Sequence, residues 1–213
     1  MLNLSPATLI SRILTLLIAL TIHEFSHAFV ADRLGDDTPR NAGRLTLNPL
    51  KHLDFIGSLL LIVAGFGWAK PVPVNPWKLR QRSSAALMMV SLAGPASNFV
   101  MAVLAALVLR TGLVPNTSNA SFLPSPVAFL LTFIIINLLL MLFNLIPFAP
   151  LDGEKVLEYL LPEPLKNGFI KIQPYGPFIL LALMFVLPRF GIDIISWVMN
   201  PALSVLSRFL IGG

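Results

Sequence analysis

The sequence predicts an all-α polytopic membrane protein, a bundle of about five to six transmembrane segments with one short re-entrant or extended element after the first helix. Three observations carry this. Hydrophobic residues make up 56% of the chain and charged residues 12%, about half of the roughly 25% in an average soluble domain. Two stretches, Ser83 to Leu109 and Thr111 to Leu151, carry no charge, and each exceeds the about 20 residues that a spanning helix needs. The net charge of +5 is concentrated in loops, where it reports topology rather than an acidic partner. Intrinsic disorder, a disulfide scaffold and nucleic-acid binding are thereby excluded. With no cysteine in the chain, thiol catalysis and thiolate metal sites are excluded too, so any metal must use His, Asp or Glu.

The first helix is expected from about Pro6 to Leu34, with proline in its first turn and Gly35 closing it. Arg12 lies within this apolar stretch and no small-residue cleavage site follows, so it reads as a retained first span. A polar loop from Asp36 to Asp54 carries Arg40, Arg44 and Lys51, and Pro39 and Pro49 break any long helix there. Phe55 to Ala69 is apolar but short for a span and reads as the re-entrant element. In KPVPVNP, residues 70–76, the prolines forbid helix and favour an extended loop or edge strand. Spans follow from about Ser84 to Leu109 and from about Val127 to Ile146. After Asp152 come a short amphipathic stretch and apolar segments from about Pro177 to Leu187 and Ile192 to Ile211, the last interrupted by Asn200 and Pro201. Residues 1–213 are read as a single membrane domain, with a core at 6–157 and a C-terminal hydrophobic hairpin at 175–211. No internal repeat is evident, which weakens a transporter reading.

Chemistry concentrates in HEFSH, residues 23–27, inside the first apolar helix. A spacing of four puts His23 and His27 on one face a turn apart, where two imidazole nitrogens reach one zinc ion, and Glu24 lies beside the open coordination position. Ionisable groups in a lipid-embedded helix cost at least about 2.5–3.5 kcal/mol each, so three in five residues need a joint purpose. A catalytic zinc usually takes a third protein ligand. His52 is available but reads better as an ordinary interfacial histidine. Asp152 is the stronger candidate: it ends the uncharged run in NLIPFAPLDG, residues 144–153, where Pro147 and Pro150 terminate a helix and let the chain turn a carboxylate back into the bundle. Its alternative is a solvent-facing Asp-Gly turn.

HEFSH in an apolar helix, AGPASN at 93–98 and NLIPFAPLDG at 144–153, in that order, resemble the site-2 protease family of intramembrane zinc metalloproteases. GWAKPVPVNP at 67–76 is also similar to segments of compact bacterial members. The resemblance implies that His23, His27 and Asp152 bind one zinc ion per chain and that Glu24 activates water. It further implies a substrate-binding role for Asn144 and Asn98, with Gly94 and Asn98 supporting close helix contact at the site. One departure stands out: many members have a second glycine after LDG, whereas this chain has Glu154, which questions the backbone freedom there. The PDZ and CBS domains of other members are not found, and a compact catalytic core is expected.

If the three ligands share an ion, the first span and the Val127 span must run in the same direction and the span between them in the opposite one. Arg33, Arg40, Arg44, Lys51, Lys70, Lys78, Arg80, Arg82, Lys155, Lys166 and Lys171 then fall on one side and Arg110 on the other. The positive-inside rule places the richer side, with the site near it, toward the cytosol of a cell-membrane protein. The implied reaction is hydrolysis of peptide bonds in a transmembrane protein or peptide within the lipid bilayer. The substrate must be held extended, which the edge from Gly65 to Pro76 would do by strand addition; its plain reading is a connecting loop. The rival class is a metal-binding transporter or a non-catalytic membrane scaffold, which needs no general base. Asn137, mid-span, reads as a polar helix contact or as a residue facing the site, the former being commoner.

Overall fold

A computed structural model describes residues 5–54, 57, 69–115 and 122–212. Among the described residues five helices are long and apolar enough to cross a membrane, and no strand longer than a single bridge occurs. Helix α1, Pro6–Arg33, begins where the Ser5 side chain accepts a hydrogen bond from the Thr8 N–H. Pro6 fills the first turn, where its missing N–H would be unpaired anyway. The helix closes at Leu34, and Gly35 follows with φ 95, a left-handed conformation that suits glycine.

The polar loop after α1 is organised by buried side chains. Asp36 is fully buried; its carboxylate accepts from the Thr38 N–H at 3.1 Å and from the Asn75 N–H at 2.6 Å, tying the end of α1 to the start of helix α2, Pro76–Arg82. Asn75 caps α2 by accepting from the Trp77 and Lys78 N–H groups. Residues 70–75 are non-helical, as the prolines require. Leu53 and Ala69 form an isolated antiparallel bridge, and the Lys70 N–H donates to the His52 carbonyl at 2.8 Å. The short re-entrant element expected at Phe55 to Ala69 lies, but for Gly57 and Ala69, outside the described residues.

Helix α3, Ala86–Arg110, packs between α1 and helix α4, Pro126–Asn144. Its direction follows from its contacts with α1: Val90 meets His27 and Asn98 meets His23, so the two helices are antiparallel, as the depth argument requires. Ala102, Ala105 and Ala106 let α3 approach Ile134, Leu138 and Met141 of α4 closely, the small-against-large packing that drives helix association in lipid. Ala31, Leu79, Ala86 and Val90 form a second cluster that seats α2 against the C-terminal end of α1. Helix α4 ends at Asn144, two residues short of the expected boundary, since Pro147 disfavours helical geometry at Ile146.

After the amphipathic helix α5, Gly153–Leu160, the apolar segment expected from about Pro177 to Leu187 lies within a longer helical rod, α6, Glu163–Phe190. Its hydrogen bonding changes from α at Glu163–Ile172 through a 3₁₀ turn at Gln173–Tyr175 to α again at Gly176–Leu181. The boundary read at Pro177 is therefore corrected, because a proline in the first turn after a 3₁₀ step loses little. Helix α7, Ile194–Gly212, runs on through Asn200 and Pro201, where an interruption was expected. Proline inside a membrane helix is tolerated when neighbouring groups take up the freed carbonyl. Apolar side chains such as Phe178, Phe190, Trp197 and Phe209 stay exposed on α6 and α7, the surface a lipid phase would cover.

Candidate metal centre and active site

His23 and His27 stack a turn apart on the buried face of α1, with their Nε2 atoms 3.0 Å apart. Asp152 comes from beyond α4, far from the histidines in sequence. After α4 the backbone makes a tight turn over residues 145–152, with a cis bond between Ala149 and Pro150, and brings the Asp152 Oδ2 to 3.2 Å from His23 Nε2 and 3.3 Å from His27 Nε2. A Cβ added at Gly153 would fall on the Leu145 carbonyl oxygen, so only glycine lets this turn close on itself. Helix α6 braces the turn from outside, since a Cβ at Gly176 would lie 2.6 Å from that of Ala149. Glu154 sits in ordinary helical conformation, and among the described residues no non-glycine has a positive φ, so the departure from a second glycine after LDG carries no strain.

The protonation pattern of the two imidazoles follows from their outer partners. His23 Nδ1 faces the Asn98 side-chain oxygen at 2.6 Å and His27 Nδ1 faces the Val90 carbonyl at 2.7 Å. Both partners only accept, so each Nδ1 carries a proton and donates, and in the neutral imidazole that a metal ligand requires Nε2 then presents the lone pair. Two lone pairs and a carboxylate oxygen then converge in a buried space, and Asp152 Oδ2 has no hydrogen-bond partner among the described residues. Three acceptors in contact repel one another unless a cation lies between them. Their separations of 3.0 to 3.3 Å are close to the about 3.3 Å between donors that each lie about 2.0–2.1 Å from a tetrahedral zinc. The residues present therefore fit the ion.

Asn98 is fully buried, and its amide N–H donates to the Asn137 side-chain oxygen at 2.9 Å, while Asn137 donates to the Phe133 carbonyl at 2.9 Å. The mid-span Asn137 thus makes a polar helix contact and at the same time fixes the amide orientation of Asn98, which orients His23. This relay fixes the orientation of the His23 ring. Asn144 is half-buried and donates to the Leu140 carbonyl at 2.9 Å, closing its own helix. His52, read as interfacial, is fully buried by the protein itself. Its Nε2–H donates to the Thr46 carbonyl at 2.7 Å, and it pins the polar loop. The burial comes from the loop folding back on residues 69–75.

Gly94 faces the histidines. A Cβ there would fall on His27 Nε2 and come within 2.5 Å of His23 Nε2, the two nitrogens that could hold a metal ion. Gly94→Ala is therefore expected to weaken zinc binding by at least about tenfold, the scale of lost ligand support, read as zinc per chain after dialysis against a competing chelator. Wild-type zinc content would show that the helices can part.

Arg44 was counted in the sequence only among loop charges. In the fold it is 4% exposed, and its Nη2 lies 3.8 Å from Glu24 Oε2. Nothing in its local sequence separates it from Arg40, which pairs with Asp32 at 2.5 Å on the surface. On the same side of the molecule Glu158 contacts Lys155 at 3.2 Å, Gln173 at 3.0 Å and Arg80 at 3.6 Å, linking α5 to α6 and α2. Burial pushes the Glu158 carboxyl up, but Gln173 and Lys155 outweigh it and hold its pKa below the ordinary range.

Two helix-borne imidazoles, a carboxylate returned from a distant turn and an adjacent glutamate, all inside a polytopic helical bundle, define a membrane-embedded metallopeptidase. Known proteins agree. The model of peptidase family M50 matches residues 114–187, the part that contains Asp152. "Putative zinc metalloprotease YwhC" of Bacillus subtilis is 41% identical over 177 residues, covering 83% of this chain and 80% of that relative. "Putative zinc metalloprotease Rip2" of Mycolicibacterium smegmatis is 35% identical over 192 residues, covering 85% of this chain and 70% of the relative. No solved structure matches. The chain belongs to peptidase family M50, the site-2 protease family of intramembrane zinc metalloproteases. The transporter and scaffold alternatives are not favoured.

Proposed function

We propose that His23, His27 and Asp152 are the zinc ligands and Glu24 the general base of a protease that cuts membrane-embedded segments of transmembrane proteins, in the cell membrane and with its site toward the cytosol. The observation that carries the ligand assignment is the convergence of two Nε2 lone pairs and an unpartnered carboxylate oxygen within 3.3 Å of one another. Zinc bound there supplies a Lewis acid that polarises a carbonyl oxygen and lowers the pKa of a water toward about 7. Glu24, one residue round the helix from His23 and only 8% exposed, accepts the proton of the attacking water and returns it to the leaving amine. Asn98 and Asn137 keep His23 in the tautomer that presents its lone pair.

A helical substrate hides its amides and must unwind to be cut. The backbone N–H groups of Val72 and Val74 pair with nothing among the described residues, and their spacing of two puts them on one edge of the extended segment. An unwound substrate strand added there would gain main-chain hydrogen bonds, with Asn144 holding its far side. The sidedness rests on the lysines and arginines of the loops. In purified protein, removal of zinc with a chelator should abolish cleavage of a model transmembrane peptide, and re-added zinc should restore it. Cleavage that persists in verified zinc-free protein would refute the assignment.

A further inference from the structure

We propose that Arg44 is a positioning residue of the reaction, a buried cation that holds the Glu24 carboxylate and the substrate-facing extended segment in register; this rests on the reading of the site given above. The guanidinium is buried with its side chain 5% exposed, and a buried charge must be paired and hydrogen-bonded to be tolerated. Its partners are unusual in combination. Nη1 donates to the Pro71 carbonyl at 3.1 Å, Nη2 donates to the Lys70 carbonyl, and Nη2 lies 3.8 Å from Glu24 Oε2. One planar group therefore touches the backbone at the head of the extended segment and faces the general base.

The other buried charge of the loop among the described residues, Asp36, is used differently. Asp36 ties the same segment to the end of α1 through the Asn75 N–H, and its other oxygen accepts from the Thr38 N–H. Residues 70–75 are thus fastened at both ends, by Arg44 at Lys70 and Pro71 and by Asp36 at Asn75, leaving between the two anchors the Val72 and Val74 N–H groups, which pair with nothing among the described residues. A merely structural arginine would need only the two carbonyls. The contact to Glu24 is longer than a hydrogen bond, so the cation directs the carboxylate without consuming the lone pair needed to accept a proton.

The fork and the charge make separable predictions. Lysine keeps the charge but cannot bond two successive carbonyls in a plane, whereas glutamine loses the charge. Full-length Arg44→Gln and Arg44→Lys should be purified beside wild type and Glu24→Gln, with zinc per chain, kcat and KM measured on a model transmembrane peptide. Arg44→Gln should keep its zinc and lose about 10- to 100-fold in kcat, the range for lost orienting partners. Arg44→Lys should recover most of kcat while its KM stays raised. Arg44→Gln with zinc bound and wild-type kcat would overturn the proposal. So would equal kcat losses in the two variants, or loss of zinc or of cooperative unfolding in both. If Glu24→Gln still cleaves, the reading of the site fails; if it is dead while Arg44→Gln is active, only the role of Arg44 fails.

Discussion

Asp152→Asn should strip the site of zinc and, with it, of activity. The substitution keeps the size of the side chain and the turn that delivers it, so folding should survive. What changes is the donor. A carboxylate oxygen that now completes the pair of imidazole lone pairs at 3.2 and 3.3 Å becomes half of a neutral amide, whose N–H₂ end would find a more favourable partner in either Nε2. Loss of an outer-shell partner alone costs about 10- to 100-fold in metal affinity, and loss of a ligand should exceed that. Zinc measured by atomic emission on the dialysed variant, beside a cleavage assay, checks both effects. Zinc held at wild-type affinity would return Asp152 to the role of a turn residue.

Glu24→Gln should separate metal binding from chemistry. Glutamine fits the same buried position beside Arg44, and neither imidazole nor Asp152 depends on the carboxylate for its hydrogen bonds. Removing a positioned general base typically costs about 10²- to 10⁴-fold. The variant should therefore carry a full complement of zinc with kcat lowered by at least about 100-fold. It should also hold its uncut substrate long enough for co-purification, which makes it the natural trap for physiological substrates.

Much of this site was legible before folding because its chemistry is local. HEFSH fixes two imidazoles and a carboxylate by helical spacing alone, and the apolar residues around it, from Ile13 to Ile22 and from Ala28 to Ala31, place the motif inside an apolar helix. The return of Asp152 could be inferred because Pro147 and Pro150 must end the helix and the next polar group is an aspartate. Residues acting at long sequence separation were less legible. Asn98 and Asn137 are 39 positions apart, and only helix packing makes them a relay to His23. Arg44 looks like any loop arginine until residues 70–71 cross it. His52 was expected at an interface because its neighbours are charged, yet the backbone folding over it decided its burial. The same limit explains α6: the amphipathic stretch from Glu163 and the apolar one from Pro177 differ in composition, and continuity between them is set by the 3₁₀ turn at Gln173–Tyr175 rather than by either pattern. Gly94 was expected to support close helix contact and Gly153 was visible as part of LDG; the atoms that forbid a side chain there, from His23, His27 and the Leu145 carbonyl, are brought up only by the fold.

The most direct test of zinc-dependent proteolysis by this constellation measures bound zinc and cleavage of a model transmembrane peptide on the same preparation of Glu24→Gln, with wild type alongside. Zinc near one per chain in both, with product from wild type alone, is the predicted result. Product formed by the zinc-loaded variant at the wild-type rate would contradict it.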